Sequence, residues 1–221
     1  MAAIFTSLLA LSGFISTAYC LPSTERRSTD TTLDLTAVSS GLPSPTATPL
    51  IIALGVGTQN YTCDSTTGTY SSNVAIADLY DIASLVKPST KDSLSKLYLQ
   101  KSTECSSDNP NPLQLNLIGD HYFDSSSKPN FDFAKSNRGW LQAKKGANVA
   151  APATAAKGAQ GDAYGTIDWL YLLDNGDGVS EDLLSVYRVW TAGGKPPSSC
   201  SGSQQIEIPY AAEYWFYDAT F

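Results

Sequence analysis

His121 is the single histidine in a chain of 221 residues, so any reaction that needs an imidazole must use it. One histidine cannot build a multi-histidine zinc or copper site within one chain, and what remains is acid, base or nucleophile-activating work. A Ser-His-Asp arrangement can be written with Asp120 or Asp132 as the orienting carboxylate, but no G-x-S-x-G elbow names a nucleophile. A hydrolase or lyase centred on His121 would take Asp120, Asp132 or Glu213 as acid or base, provided these side chains and Arg188 converge in one pocket. Glycoside hydrolysis would need two facing carboxylates from among Asp132, Asp168, Glu207 and Glu213. The plainer reading of His121 is a strand-end histidine hydrogen-bonded among neighbouring tyrosines and backbone.

Other motifs imitate sites without completing them. Gly55-Val56-Gly57 follows an apolar run as a dinucleotide loop would, yet the third glycine position holds Asn60, and a Tyr-Thr-Cys strand follows where a helix is required. The two glycines read better as a bulge or a close approach of strands. Asp174-Asn175-Gly176-Asp177-Gly178 resembles a calcium loop, but alignment puts Leu173 and Leu184 at the first and last ligand positions, so a turn explains it better. No cofactor and no metal is expected. Asn60-Tyr61-Thr62 is a glycosylation sequon, and a glycan on Asn60 would turn Gln59 and Tyr61 toward the core by strand alternation. Alternation likewise buries Ile167, Trp169 and Tyr171 on one face, while an exposed aromatic strip for stacking on sugar rings is the sharper alternative.

The elements that must position these residues begin after a leader. Residues 1–20 hold an apolar run from Ile4 to Ile15 and end in Ala-Tyr-Cys, the pattern of a secretory signal peptide and too short for a membrane span. Residues 21–49 are rich in Ser, Thr and Pro and are expected to form a disordered propeptide or stalk, with Arg26-Arg27 as a dibasic processing point. Residues 50–221 suffice for one domain. The formal charge of −7 argues against a sequence-independent grip on nucleic acid.

Without the leader three cysteines remain, allowing one bridge and one further thiol. Cys63 with Cys200 is the preferred pair because it ties the first strand region to the last; Cys105, in a polar loop, is then free, pairs between molecules, or displaces one of the others.

Apolar alternation and turn residues predict strands at 50–63, 113–123, 130–133, 139–143 and 167–173, and through LLSVYRVW and IEIPYAAEYWFY. Residues 74–86 fit a short helix or a strand plus turn, residues 92–99 are ambiguous, Gly119-Asp120 carries a turn or bulge signal, and 147–163 reads as a long loop. The expected architecture is mainly β: a single antiparallel β-sandwich or distorted barrel with one or two short helices at its edge.

Taken together, GVGTQNYTC at 55–63, ADLYDI at 77–82, GDHYF at 119–123, Asp168-Trp169-Leu170, VYRV at 186–189, TAGG at 191–194 with Pro196-Pro197 and Cys200, and PYAAEYWFY at 209–217 resemble a family of small secreted fungal proteins with bacterial relatives, a domain of unknown function. The resemblance implies a secreted, mainly β domain with a cysteine link between its two ends, and no particular reaction. Many fungal relatives carry a cysteine where this chain has Ala83. Some members bear the name malate dehydrogenase, which these residues do not support: there is no nucleotide fold, and Arg138 and Arg188 make a poor clamp for a dicarboxylate. The expected function is therefore that of a secreted extracellular or cell-wall protein that binds polysaccharide or a host component, as an effector would, or serves a structural role. The enzyme alternative is the His121-centred hydrolase or lyase.

Overall fold

The computed structural model describes residues 32–37, 41–86, 94–96, 114–157 and 165–221. The expected signal peptide, Arg26-Arg27, Cys105 and most of 92–99 lie outside these residues. Eight strands, β1 (Ile51–Asp64), β2 (Thr69–Asp81), β3 (Leu117–Phe123), β4 (Pro129–Asp132), β5 (Trp140–Val149), β6 (Trp169–Asp174), β7 (Ser185–Gly193) and β8 (Gln205–Tyr217), form a closed antiparallel barrel in chain order. Of the two architectures expected, the barrel is the one formed. Helix is limited to a 3-10 turn at Ala134–Ser136 and helical residues 94–96 among those described. No helix among the described residues is long and apolar enough to cross a membrane.

Closure falls to β1, which pairs with β2 from Ala53 to Asp64 and with β8 from Ile51 to Thr62. Side chains alternate across the wall. Ile51, Ala53, Leu79, Phe131, Leu141, Val186 and Phe216 fill the interior, while Ile52, Leu54, Trp169, Tyr187, Trp215 and Tyr217 belong to a second buried cluster on the outer face.

That outer cluster is buried because chain segments lie over it. Leu33, Leu35, Leu42 and Ala47 pack there, and the Tyr187 hydroxyl donates to the Pro43 carbonyl at 3.0 Å. The disorder expected from Ser/Thr/Pro composition therefore does not extend to residues 41–49. Their few apolar side chains find an apolar wall to cover, and burial offsets the entropy of ordering.

Three local readings change with tertiary context. Residues 74–81 belong to β2 and a turn follows, the strand-plus-turn option. Gly119-Asp120 lies within β3, beside a bulge at Ile118 where Leu79 pairs with Gly119 and Tyr80 with Leu117, so the signal marks a bulge and no hairpin. Ala147–Val149 extend β5 where a loop was expected: Gly146 is bulged, and Ala147 and Val149 pair with Tyr171 and Trp169. The Cys63–Cys200 disulfide forms, with Cα atoms 5.9 Å apart and a sequence separation of 137, so Cys105 displaces neither partner.

The glycines of the false nucleotide loop have a steric purpose. A Cβ on Gly55 would overlap the Tyr214 ring, and one on Gly57 would overlap the β2 backbone at Ile76 and Ala77. Backbone cannot be displaced as a ring can, so Gly57→Ala should lower stability by about 3 kcal/mol or more, and Gly55→Ala by about 1–3 kcal/mol, as overpacked cores do. Urea unfolding midpoints measure both. Losses below about 0.5 kcal/mol at Gly57, the range of a neutral surface change, would refute the steric account.

Candidate functional site

The barrel interior divides along its length. Beyond Gly57 the inward positions of β1 are Gln59 and Tyr61, and strand register brings other polar groups alongside them. Gly57 is opposite Ala77 on one side and Tyr210 on the other; Ala77 is opposite His121, and Tyr214 is opposite Arg188. Gln59, Tyr61, His121, Arg188, Tyr210 and Tyr214 thus share one end of the interior, while the aliphatic and phenylalanine side chains fill the other.

The hydrogen bonds in this half are unbalanced. The Tyr210 and Tyr214 hydroxyls pair at 2.9 Å, and Tyr61 donates to the Gly194 carbonyl at 2.7 Å. Arg188 Nη2 donates to the Asp168 carbonyl at 2.9 Å, but no carboxylate among the described residues forms an ion pair with this guanidinium. Arg188 Nε and Gln59 Nε2 are both sealed from water and have no acceptor. Gln59 is only 6% exposed, and Arg188 is half-buried.

The charge on Arg188 is felt throughout the cluster. Burial raises Tyr214, and the guanidinium opposes that rise. Burial pushes Tyr210 well above its ordinary range, with Tyr214 adding to the effect and Arg188 and the Gln59 amide opposing it. Tyr61 is pushed up to about 12 by burial, against the pull of Arg188. All three tyrosines are neutral hydroxyls at physiological pH.

His121 is held as a neutral base. It is 4% exposed, and its ring stacks on Phe131 with centroids 4.2 Å apart and planes 7° from parallel. Nδ1 lies 2.8 Å from the Asn130 carbonyl oxygen, which can only accept, so Nδ1 carries the proton and Nε2 the lone pair. Burial lowers its pKa to about 4, and Arg188 adds to the lowering while the Asn130 hydrogen bond opposes it.

Asp120, Asp132 and Glu213 are elsewhere, while the Asp168 charge bears on Tyr61 within the cluster. Asp120 and Asp132 pair across β3 and β4 on the outer side of the wall. Asp120 is bridged to Lys135 at 2.7 Å, and Asp132 accepts the Ala134 N–H at 2.8 Å. Glu213 is fully buried on the outer side, where it accepts the Trp215 indole N–H at 3.0 Å. Asp168 accepts from Asn148, and Arg138 is bridged to Asp81. Of the five sequence candidates the fold brings together His121 and Arg188, and it separates Asp120, Asp132 and Glu213 from them. Strand parity is the reason: Asp120 neighbours His121 in sequence and therefore points the opposite way.

Tyr210 and Tyr214 are the residues that sequence reasoning missed. Their spacing of four along β8 puts both inside, a signal hidden by a strand that is apolar at both parities. Gln59 and Tyr61 are inward, and the Asn60 amide lies on the other side, 3.4 Å from Glu207. The alternative of an exposed aromatic strip is not formed by the tryptophans: Trp169 and Trp215 are fully buried, as the core reading expects, and Trp140 and Trp190 are half-buried. The Asp174–Gly178 segment is a turn, with Asn175 Oδ1 accepting the Asp177 N–H at 2.8 Å, and no described cluster of acidic, histidine or cysteine residues could hold a metal.

Outside the wall lies an open recess of about 230 Å³ bordered by Lys96, Ala155, Trp169, Trp190 and Thr191. The two indole N–H groups that border it have no acceptor. Trp190 sits at φ 47° in the bulge between Val189 and Ala192, a conformation that costs a bulky residue energy.

A family model described as a protein of unknown function (DUF3455) matches residues 43–218. No curated protein and no solved structure matches the chain. The matched span includes all eight strands and begins within the outer segment at Pro43.

The depressed histidine gives a pH prediction of definite sign. The unfolded chain takes up the proton near pH 6.5 and the folded one only near 4, so His121 contributes fully above 6.5 and that stability is lost as pH falls toward 4. The loss should approach about 3 kcal/mol, and His121→Phe, which keeps a ring against Phe131, should remove that dependence. Urea midpoints of both proteins between pH 7.5 and 4.5 test this. Parallel curves would show that His121 is already charged in the fold.

Proposed function

The chain belongs to this family of unknown function, and we propose that it is an exported extracellular or cell-wall protein that acts by binding a small ligand in the polar half of its barrel. The observation that carries this reading is the convergence of donors, Arg188 Nε and Gln59 Nε2, beside a guanidinium, with no acceptor for either and no carboxylate ion pair among the described residues. A native interior seldom leaves such groups unsatisfied, and the mouth of a small barrel is a common place for one ligand. Export follows from the leader, and the fungal origin and the glycan at Asn60 belong to the same reading. The partner expected from sequence, a polysaccharide stacked on surface aromatics, has less support, since Trp169, Trp190 and Trp215 belong to the covered outer cluster and Trp140 is half-buried.

Hydrolase or lyase chemistry at His121 is the weaker reading. The base is neutral and available, but its Nδ1 is oriented by the Asn130 carbonyl, and the expected carboxylates Asp120 and Glu213 are engaged elsewhere.

The test is a thermal-shift screen of the full secreted protein against small organic acids, sugars, amines and neutral aromatics, beside a pull-down on insoluble polysaccharide. A ligand at 100 times its dissociation constant should stabilise the fold by about 2.7 kcal/mol, a shift of several degrees. That shift should persist in Trp190→Phe and disappear in Arg188→Met. Loss in Trp190→Phe alone would move the site to the outer recess. Turnover of an ester or glycoside that vanishes in His121→Phe would replace binding with catalysis.

A further inference from the structure

We infer that the ligand of the barrel interior is a small organic carboxylate, gripped by the Arg188 guanidinium with Tyr214, Tyr210 and Gln59 around it; this rests on the binding reading above.

When two hydroxyls share a hydrogen bond, one proton lies between them and the other is left to donate elsewhere. The Tyr210–Tyr214 pair at 2.9 Å therefore leaves one O–H over. Arg188 Nε and Gln59 Nε2 add two more donors that find no acceptor. The Nε2 lone pair of the neutral His121 can answer one of these donors, and unpaired donors then remain beside a positive charge. Water can satisfy donors singly, but it does not answer the charge, and a guanidinium drawn from water without a counter-ion is costly.

A group that only accepts and carries negative charge answers both needs. The geometry narrows it further. The guanidinium is a planar fork whose paired N–H groups match the two oxygens of a carboxylate. One nitrogen of the fork, Nη2, is committed to the Asp168 carbonyl, which holds the group in place and leaves Nε free. Arg188 bears on Tyr61, His121, Tyr210 and Tyr214, whereas the Asp168 carboxylate, which accepts from Asn148, bears among them on Tyr61 alone, so a single further negative charge is the most the site supports. A phosphate dianion would bring a second charge without a second cation. The tyrosines are neutral at pH 7 and serve as donors, and the neutral His121 adds no competing charge.

His121 also supplies the reporter. Its ring centroid is 5.9 Å from that of Tyr214, and it is the only histidine, so its ring proton resonances are unambiguous in a proton NMR spectrum. The full secreted protein is titrated with acetate, butyrate and benzoate, with the matching neutral amides, and with inorganic phosphate. The carboxylates should shift the His121 resonances in a saturable way, at least tenfold more tightly than the amides or phosphate. Arg188→Met should weaken carboxylate binding at least tenfold, Arg188→Lys should retain part of it, and Gln59→Leu should weaken it several-fold. If near-ultraviolet circular dichroism shows Arg188→Met unfolded, Arg188→Lys and Gln59→Leu decide. Amides binding as tightly as acids, phosphate binding more tightly, or Arg188 variants unchanged would overturn the inference while leaving a binding barrel. No binding by any probe here, together with no shift in the wider screen, would overturn both.

Discussion

Everything in this barrel depends on how closely β1 can be approached from both edges. It pairs with β2 over one edge and with β8 over the other, and those two ladders close the sheet. At Gly57 the β2 backbone occupies the space a side chain would take, and at Gly55 the ring of Tyr214 does. Large tyrosines can therefore stand inside a narrow barrel because the facing strand gives up its own side chains. A closed sheet has no edge to protect, which is why eight strands of unequal length can form one body.

That exchange of volume also determines what kind of interior the protein has. Where β1 is aliphatic, at Ile51 and Ala53, the barrel is filled by Phe131, Phe133, Leu141 and Phe216. Past the glycines it turns polar, and Tyr210, Tyr214, Gln59 and Arg188 meet around a neutral His121. The low dielectric that pushes His121 down to about 4 and the tyrosines up is the same property that makes an unpaired guanidinium conspicuous. The wall separates this group from three of the acidic residues: Asp120 and Asp132 are bridged or capped outside, and Glu213 is buried under the outer layer. The proposed binding role rests on that separation of His121 from the carboxylates that acid–base chemistry would pair with it.

Much of the fold was legible because strands announce themselves by alternation and turns by their glycines and asparagines. The strand entering at Ile51, the two strands either side of Asp174–Gly178 and the last strand to Tyr217 follow the apolar pattern closely. What misled was also local. Ala147–Val149 look like loop because small residues carry little signal, and only pairing with Tyr171 and Trp169 across the Gly146 bulge makes them strand. Residues 41–49 look unstructured because composition records what a segment contains and not the wall it can cover.

The amino-acid sequence by itself determined the mainly β class, the shared face of Gln59 and Tyr61, and the steric nature of Gly55 and Gly57. Each of these follows from residue types or from period-two alternation, which are local properties. Only the tertiary structure decided that His121 and Arg188 belong together while Asp120, Asp132 and Glu213 do not. It also decided that Tyr210 and Tyr214 complete their surroundings and that Cys63 meets Cys200. Those outcomes depend on the register between strands far apart in the chain, and register is set by barrel closure, which no single strand encodes.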